Sequence, residues 1–171
     1  MIFVTVGLHY QGFDRLIRKM DEIAGKIDEV VIMQVGSTKY RPVHAKYFES
    51  NDDEGMTELF MAARITVTQA GSGTLLDLIR LKRPFILVPR LKKFSEHIDD
   101  QQIELAQALS ESSHVVSIYD INELEDAITN FRPVQVSGNE KNQDIVQFLK
   151  NAIDGFQLNT AGGKDLTENN R

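Results

Sequence analysis

Ile65-Thr66-Val67-Thr68-Gln69-Ala70-Gly71-Ser72-Gly73-Thr74-Leu75-Leu76-Asp77-Leu78-Ile79-Arg80-Leu81 carries three signals in direct succession. Residues 65–68 form a short β-branched run, which predicts a buried strand. Gly71-Ser72-Gly73 predicts a turn. Residues 74–81 return to an apolar helical repeat. A strand, a glycine turn and a helix in that order are one βα unit.

The same alternation extends both ways. Upstream, residues 2–6 predict a first strand closed by Gly7. Phe13, Leu16, Ile17, Met20, Ile23 and Ala24 recur at helical spacing, predicting a helix over 14–25. Residues 30–35 form a second strand, and 45–48 a weaker extended piece. A helix follows over 52–63, with Asp52 or Asp53 as N-cap and Met56, Leu59, Phe60 and Ala63 inward. Downstream, Pro84 opens a strand over 85–88. Residues 99–109 read as a helix with Ile103, Ala106 and Leu109 on one side. A strand over 115–118 follows. Asp120 then caps a helix carrying Leu124, Ala127 and Ile128. A last amphipathic helix is expected from Asn139 or Asn142 to Ile153. The fold class is therefore α/β, one Rossmann-like domain over 1–153, with a mostly parallel sheet covered by helices on both faces. Residues 154–171 are a polar tail, expected to be flexible. In such sheets ligands bind outside the carboxyl ends of the strands, so the loops after each strand are the informative ones.

Composition narrows the function classes. The chain has 171 residues, with 19 basic and 25 acidic residues and a net charge of −6. Hydrophobic residues are 42% and charged residues 26%, a globular balance. The absence of cysteine excludes disulfides, thiol nucleophiles and cysteine metal sites. The acidic balance argues against a dedicated nucleic-acid binder. No apolar run reaches the length of a bilayer span, and the N-terminus has no basic region before its apolar run. The expected location is cytoplasmic.

Three loops could carry chemistry. Gly71, Ser72, Gly73 and Thr74 sit where a helix N-terminus presents free N–H groups and its positive dipole end, which suits a diphosphate. Asp77, one turn further on, could accept from sugar hydroxyls. The alternative is a tight turn that needs glycine, with Thr74 as a cap. The loop from Gly7 to Gly12 lacks the lysine and hydroxyl of a P-loop but could line the same cleft. The third loop, 89–102, gathers Arg90, Lys92 and Lys93 in an acidic protein, then Glu96, His97, Asp99, Asp100, Gln101 and Gln102. Its ordinary reading is a solvated charge run. Its position on the ligand edge instead suggests polar recognition by Gln101 and Gln102, with His97 as a candidate acid or base. His9, His44, His97 and His114 show no metal-ligand spacing.

Read in order, these stretches resemble the donor-binding C-terminal half of glycosyltransferase family 28, which has the GT-B fold. The residues that carry the resemblance are Phe3-Val4-Thr5-Val6-Gly7, Phe13-Asp14-Arg15-Leu16, Gln34-Val35-Gly36 and Ala70-Gly71-Ser72-Gly73-Thr74. They continue with Lys82-Arg83-Pro84, Val88-Pro89-Arg90-Leu91-Lys92-Lys93-Phe94, Glu96-His97-Ile98-Asp99-Asp100 and Gln102-Ile103-Glu104-Leu105-Ala106. The likeness is to the family's small single-domain soluble subunits. These include the donor subunit of the eukaryotic dolichol-linked GlcNAc transferase and the bacterial exopolysaccharide β-1,4-glycosyltransferase enhancers. It implies half of a GT-B fold, binding a UDP-sugar such as UDP-GlcNAc or a UDP-hexose. Gly7 would line the cleft, Gly71 to Thr74 would face the diphosphate, Asp77 the ribose, and Gln101 and Gln102 the sugar. It further implies an inverting hexosyltransferase that is inactive without a membrane-anchored partner subunit. That partner would supply the catalytic base and the lipid-linked acceptor. Arg90, Lys92 and Lys93 would meet the partner, lipid headgroups or the diphosphate. No metal or other cofactor is implied. The sequence departs from the family pattern at Gln69 and Gln101, where histidine is usual or frequent. It also departs at Asp77 for glutamate, Leu8 for threonine and Gly12 for proline. A non-catalytic, stabilising partner of a glycosyltransferase is therefore the alternative function.

Overall fold

The computed structural model describes residues 1–112 and 115–132. Among them, six strands pair in the order β3-β2-β1-β4-β5-β6: β1 (Ile2–Thr5), β2 (Val31–Gln34), β3 (Lys46–Phe48), β4 (Ile65–Thr68), β5 (Phe85–Leu87) and β6 (Val116–Ser117). Every pair is parallel. The helices are α1 (Asp14–Ala24), α2 (Asp53–Ala62), α3 (Ser72–Arg80), α4 (Gln101–Ser112) and α5 (Leu124–Thr129). None is long and apolar enough to cross a membrane.

β1 and β4 lie side by side at the centre, in register from Ile2↔Ile65 to Thr5↔Thr68. Both are buried along their whole length. Side chains alternate between the faces of a strand, so a strand covered on both faces is filled by apolar and β-branched residues, here including the buried Thr5, Thr66 and Thr68. The two cores show the alternation. Ile2 and Val4 pack with Leu16, Ile17 and Met20 of α1 and with Leu124 and Ile128 of α5. Phe3 points the other way, to Phe60 of α2, Leu75 and Leu78 of α3, and Ala106 and Leu109 of α4. Burying side chains of this size stabilises the fold by about 1.5–3 kcal/mol each.

The expected elements are present, with shifted ends. α2 begins after Asp52, whose side chain accepts from the Gly55 N–H at 2.8 Å, as the capping signal requires. α3 begins at Ser72, earlier than expected, and α4 at Gln101, later than expected. Asp120 caps a short 3₁₀ turn, Ile121–Glu123, which runs into α5. The sheet is wholly parallel rather than mostly so. The helix expected over 139–153 and the tail over 154–171 lie outside the described residues.

One buried charge was not legible beforehand. Asp21 of α1 is 1% exposed. Its carboxylate accepts from the Tyr40 hydroxyl at 2.7 Å and from the N–H groups of Val43, His44 and Ala45 at 2.9, 2.8 and 3.1 Å. It thereby pins the segment before β3 to α1. Burial disfavours the charge, but these hydrogen bonds outweigh it and hold the Asp21 carboxyl below its ordinary range. A lowered folded-state value means stability that is present above about pH 4 and lost as pH falls through that value. Asp21→Ala should cost about 2–4 kcal/mol at pH 7, because three N–H groups lose their acceptor. The gap in melting temperature between variant and wild type should narrow on acidification below about pH 4.

Candidate functional site

The sheet order places a topological switch between β1 and β4. The chain leaves β1 toward β2 on one side and leaves β4 toward β5 on the other. The loops after β1, β4 and β5 therefore converge on one edge, where α/β proteins bind ligands.

After β4 the chain enters α3 through Gly71, the N-cap residue, with no side-chain hydrogen bond to the cap. The first helical bond recorded is from Leu75 N–H to Gly71 C=O, at 3.1 Å. The N–H groups of Ser72, Gly73 and Thr74 precede it and have no partner one turn back. Gly73 lies inside the helix, and a Cβ built there meets nothing within 4 Å. Its backbone is not left-handed, so neither conformation nor packing calls for glycine at this position. Thr74 is not the cap, being a residue of the first helical turn, but a tight turn does close at Gly71, whose N–H donates to the Gln69 carbonyl at 2.8 Å and where a Cβ would meet the Gln69 side chain at 3.3 Å. Asp77 is exposed on the same helix.

Gly7 has a different reason to be glycine. It adopts φ 67°, and a Cβ there would collide with Nε2 of Gln69. The loop after β1 is thus pressed against the loop after β4. Gly36, at φ 50°, is pressed against the Gly7 carbonyl in turn.

Arg90 joins the three loops. It is 1% exposed, among the largest fully buried side chains. Nε donates to Gln69 Oε1. Nη1 donates to the carbonyls of Gln11, Gly12 and Glu96 at 2.8, 2.9 and 3.1 Å, and Nη2 to that of Val6 at 2.9 Å. The Phe13 ring lies against the guanidinium, 4.8 Å away. Gln102 completes the network: Oε1 accepts from Arg90 N–H at 3.0 Å, and Nε2 donates to Gln69 Oε1 at 3.2 Å. Burial lowers the Arg90 pKa to about 10, with Glu96 opposing, so it stays cationic at neutral pH. The expectation of Arg90 as a surface contact for a partner or phosphate is therefore corrected. Its donors are spent inside the protein. Lys92 and Lys93, in the exposed 3₁₀ turn Lys92–Phe94, are the cations left at this edge of the expected cluster. Gln102 is likewise engaged at both ends of its amide, and Gln101 is the more open of the two.

Arg15 clamps the third loop from below. It makes a two-pronged pair with Glu96, both contacts at 2.9 Å, and also donates to the Pro89 carbonyl. Beside this pair an open groove of about 520 Å³ is lined by Tyr10, Gln11, Asp14, Arg15, Phe94 and Glu96. His97 Nδ1 lies 2.9 Å from Asp99 Oδ1, and Asp99 Oδ1 also accepts from the Gln101 N–H at 3.1 Å. The His97 ring stacks on His9, with centroids 5.1 Å apart. His9 reaches this edge with the Gly7 to Gly12 loop, as its place four residues after β1 implies. Among the described residues no cluster of three or more His, Asp or Glu could hold a metal ion.

Residues 1–155 match the model of the glycosyltransferase family 28 C-terminal domain. No curated protein matches the chain. Among solved structures, MurG of Acinetobacter baumannii is similar with a TM-score of 0.53 at 14% identity, over 90% of this chain and 49% of that one. The glycotransferase of kitacinnamycin is similar with a TM-score of 0.55 at 14% identity, over 92% of this chain and 43% of that one. The chain thus spans about half the length of each. Its α/β domain matches half of a GT-B fold.

The buried and exposed cations should behave oppositely on substitution. Arg90→Leu should cost about 3 kcal/mol or more in urea unfolding, since it strands buried carbonyls and the Gln69 amide. Lys92→Ala and Lys93→Ala should each stay within about 0.5 kcal/mol of wild type.

Proposed function

Because the chain belongs to the glycosyltransferase family 28 C-terminal domain family, we propose that it holds the donor of a glycosyl transfer, a UDP-sugar, where α3 begins. The observation that carries this reading is the open N-terminus of α3 at the switch between β1 and β4. Uncapped N–H groups, a glycine without a packing role and the hydroxyl residues Ser72 and Thr74 share this first turn. A diphosphate there receives hydrogen bonds and the positive end of the helix dipole. Asp77, exposed on the next turn, accepts from the ribose hydroxyls, and Gln101 and Gln102 lie on the sugar side.

The chemistry divides between the two halves of the GT-B fold. The acceptor oxygen attacks the anomeric carbon as the bond to the diphosphate oxygen breaks, which inverts the centre. This domain orients the donor and stabilises charge on the departing diphosphate. The acceptor proton goes to a base on the complementary half, since this chain spans about half of its structural relatives. In this reading that half is a membrane-anchored subunit presenting a lipid-linked acceptor, and Lys92 and Lys93 face it. A second reading, a non-catalytic stabilising partner, draws on Gln69, whose amide oxygen is spent on Arg90 and Gln102.

Calorimetric titration with UDP separates the two, because a purely stabilising partner need not bind it. Gly73→Val should fold normally and lose about tenfold in UDP affinity, about 1.4 kcal/mol. Unchanged affinity in the folded variant would remove this turn from the site. Asp77→Ala should weaken UDP more than its 2′-deoxy analogue, whereas equal losses would return Asp77 to an ordinary helix surface.

A further inference from the structure

The stacked histidines bridge two loops that the sheet keeps apart. β4 lies between β1 and β5, yet His9 follows β1 and His97 follows β5. Their rings lie 5.1 Å apart and 28° from parallel, so the pair spans the end of β4. That is where Gln69 leads into Gly71 and the start of α3. Nothing in the Arg90 network uses either ring.

The two rings are wired differently. His9 Nδ1 accepts the Gln11 N–H at 3.2 Å, so the neutral ring carries its proton on Nε2 and can donate outward. His97 Nδ1 lies 2.9 Å from the Asp99 carboxylate and 3.5 Å from the Asp99 N–H, so Asp99 holds the ring and leaves Nε2 as its other polar atom. Burial, the Arg90 charge and His97 together hold His9 below its ordinary range. Two stacked imidazolium rings would also repel each other. Of the two rings, His97 is the one with a carboxylate at contact to balance a positive charge. The charged groups around it are few. Asp99 touches it directly, and Arg90 acts through His9. Asp100 accepts from the Lys92 N–H, and Glu96 is neutralised by Arg15. Beyond His9 lies the ring of Tyr10, 4.6 Å away.

We propose that the His9–His97–Asp99 cluster is a proton-coupled contact for the donor's diphosphate, with His97 binding it as imidazolium and His9 donating from Nε2. This rests on the donor-site reading above. A doubly negative group beside His97 favours the protonated ring, and by linkage each proton favours the anion. Donor affinity then rises as pH falls, by a limit of about tenfold per pH unit for one coupled proton.

The experiment titrates the full chain with UDP-N-acetylglucosamine from pH 8 to pH 6. This ligand's esterified diphosphate does not itself titrate in that window. Calorimetry in buffers of different ionisation heat counts the protons taken up. The expected result is about three- to tenfold tighter binding at pH 6, with up to one proton absorbed. His97→Asn should flatten the slope, while His44→Asn, remote from the cluster, should keep it. In the wild-type protein, histidine NMR should show the His97 titration moving to higher pH on adding the ligand, a readout that does not depend on any variant folding. Binding with no slope, or with the same slope in folded His97→Asn, would overturn the inference and leave the donor site standing. No binding at any pH would overturn both.

Discussion

One buried guanidinium organises the ligand edge of this protein. Arg90 donates to carbonyls at both ends of the loop that follows β1, Val6, Gln11 and Gly12, and to the Gln69 amide just after β4. A charge this deep is costly unless its donors are met, and here backbone oxygens and Gln69 meet them. Coordination by carbonyls rather than by a carboxylate has a consequence: the cation's field is not cancelled at contact. Glu96, the nearest carboxylate partner in sequence, gives its carboxylate to Arg15 and to the Leu91 N–H instead. The edge therefore keeps a fixed positive charge behind a wall of backbone, beside the uncapped start of α3.

That division of labour explains the chemistry the edge can support. Arg90, Gln69 and Gln102 are scaffold, and they hold three loops in one geometry before any ligand arrives. Preorganisation of this kind spares a bound anion the cost of ordering its site. What remains free is on the surface of the scaffold: the first turn of α3, Asp77, Gln101, and the histidine pair. The glycines divide the same way. Gly7 and Gly36 are glycine because the protein itself leaves no room, while Gly73 has room to spare. In the donor-site reading, the glycine with space around it is the one that a ligand accounts for.

The fold was largely legible in the sequence, and the reason is periodicity. Runs such as Ile65 to Thr68 and spacings such as Leu16, Ile17, Met20 and Ile23 record the sheet and helix faces directly. Element ends were less legible, since caps compete over one or two residues, as at Ser72. The loops that share this edge were legible in position, but the contacts their side chains make were not. Arg90 stands two and three residues from Lys92 and Lys93, and a cluster of basic residues reads as surface. Only the convergence of three distant carbonyls, those of Val6, Gln11 and Gly12, on Arg90 separates it from them, and no local pattern encodes that. Asp21 was hidden for the same reason: its partners lie 19 to 24 residues away. His9 and His97 are 88 positions apart (97 − 9), and only the parallel topology brings their rings together.

The central claim is that a nucleoside diphosphate sits between β1 and β4 against the first turn of α3. The most direct measurement is a backbone amide NMR titration of the full chain with UDP. The account predicts the largest shifts at Gly7, Gly71, Ser72, Gly73, Thr74 and Asp77, with little change in β3 and α2 at the far side of the sheet. Shifts centred on β3 and α2, or a spectrum unmoved at millimolar UDP, would contradict it.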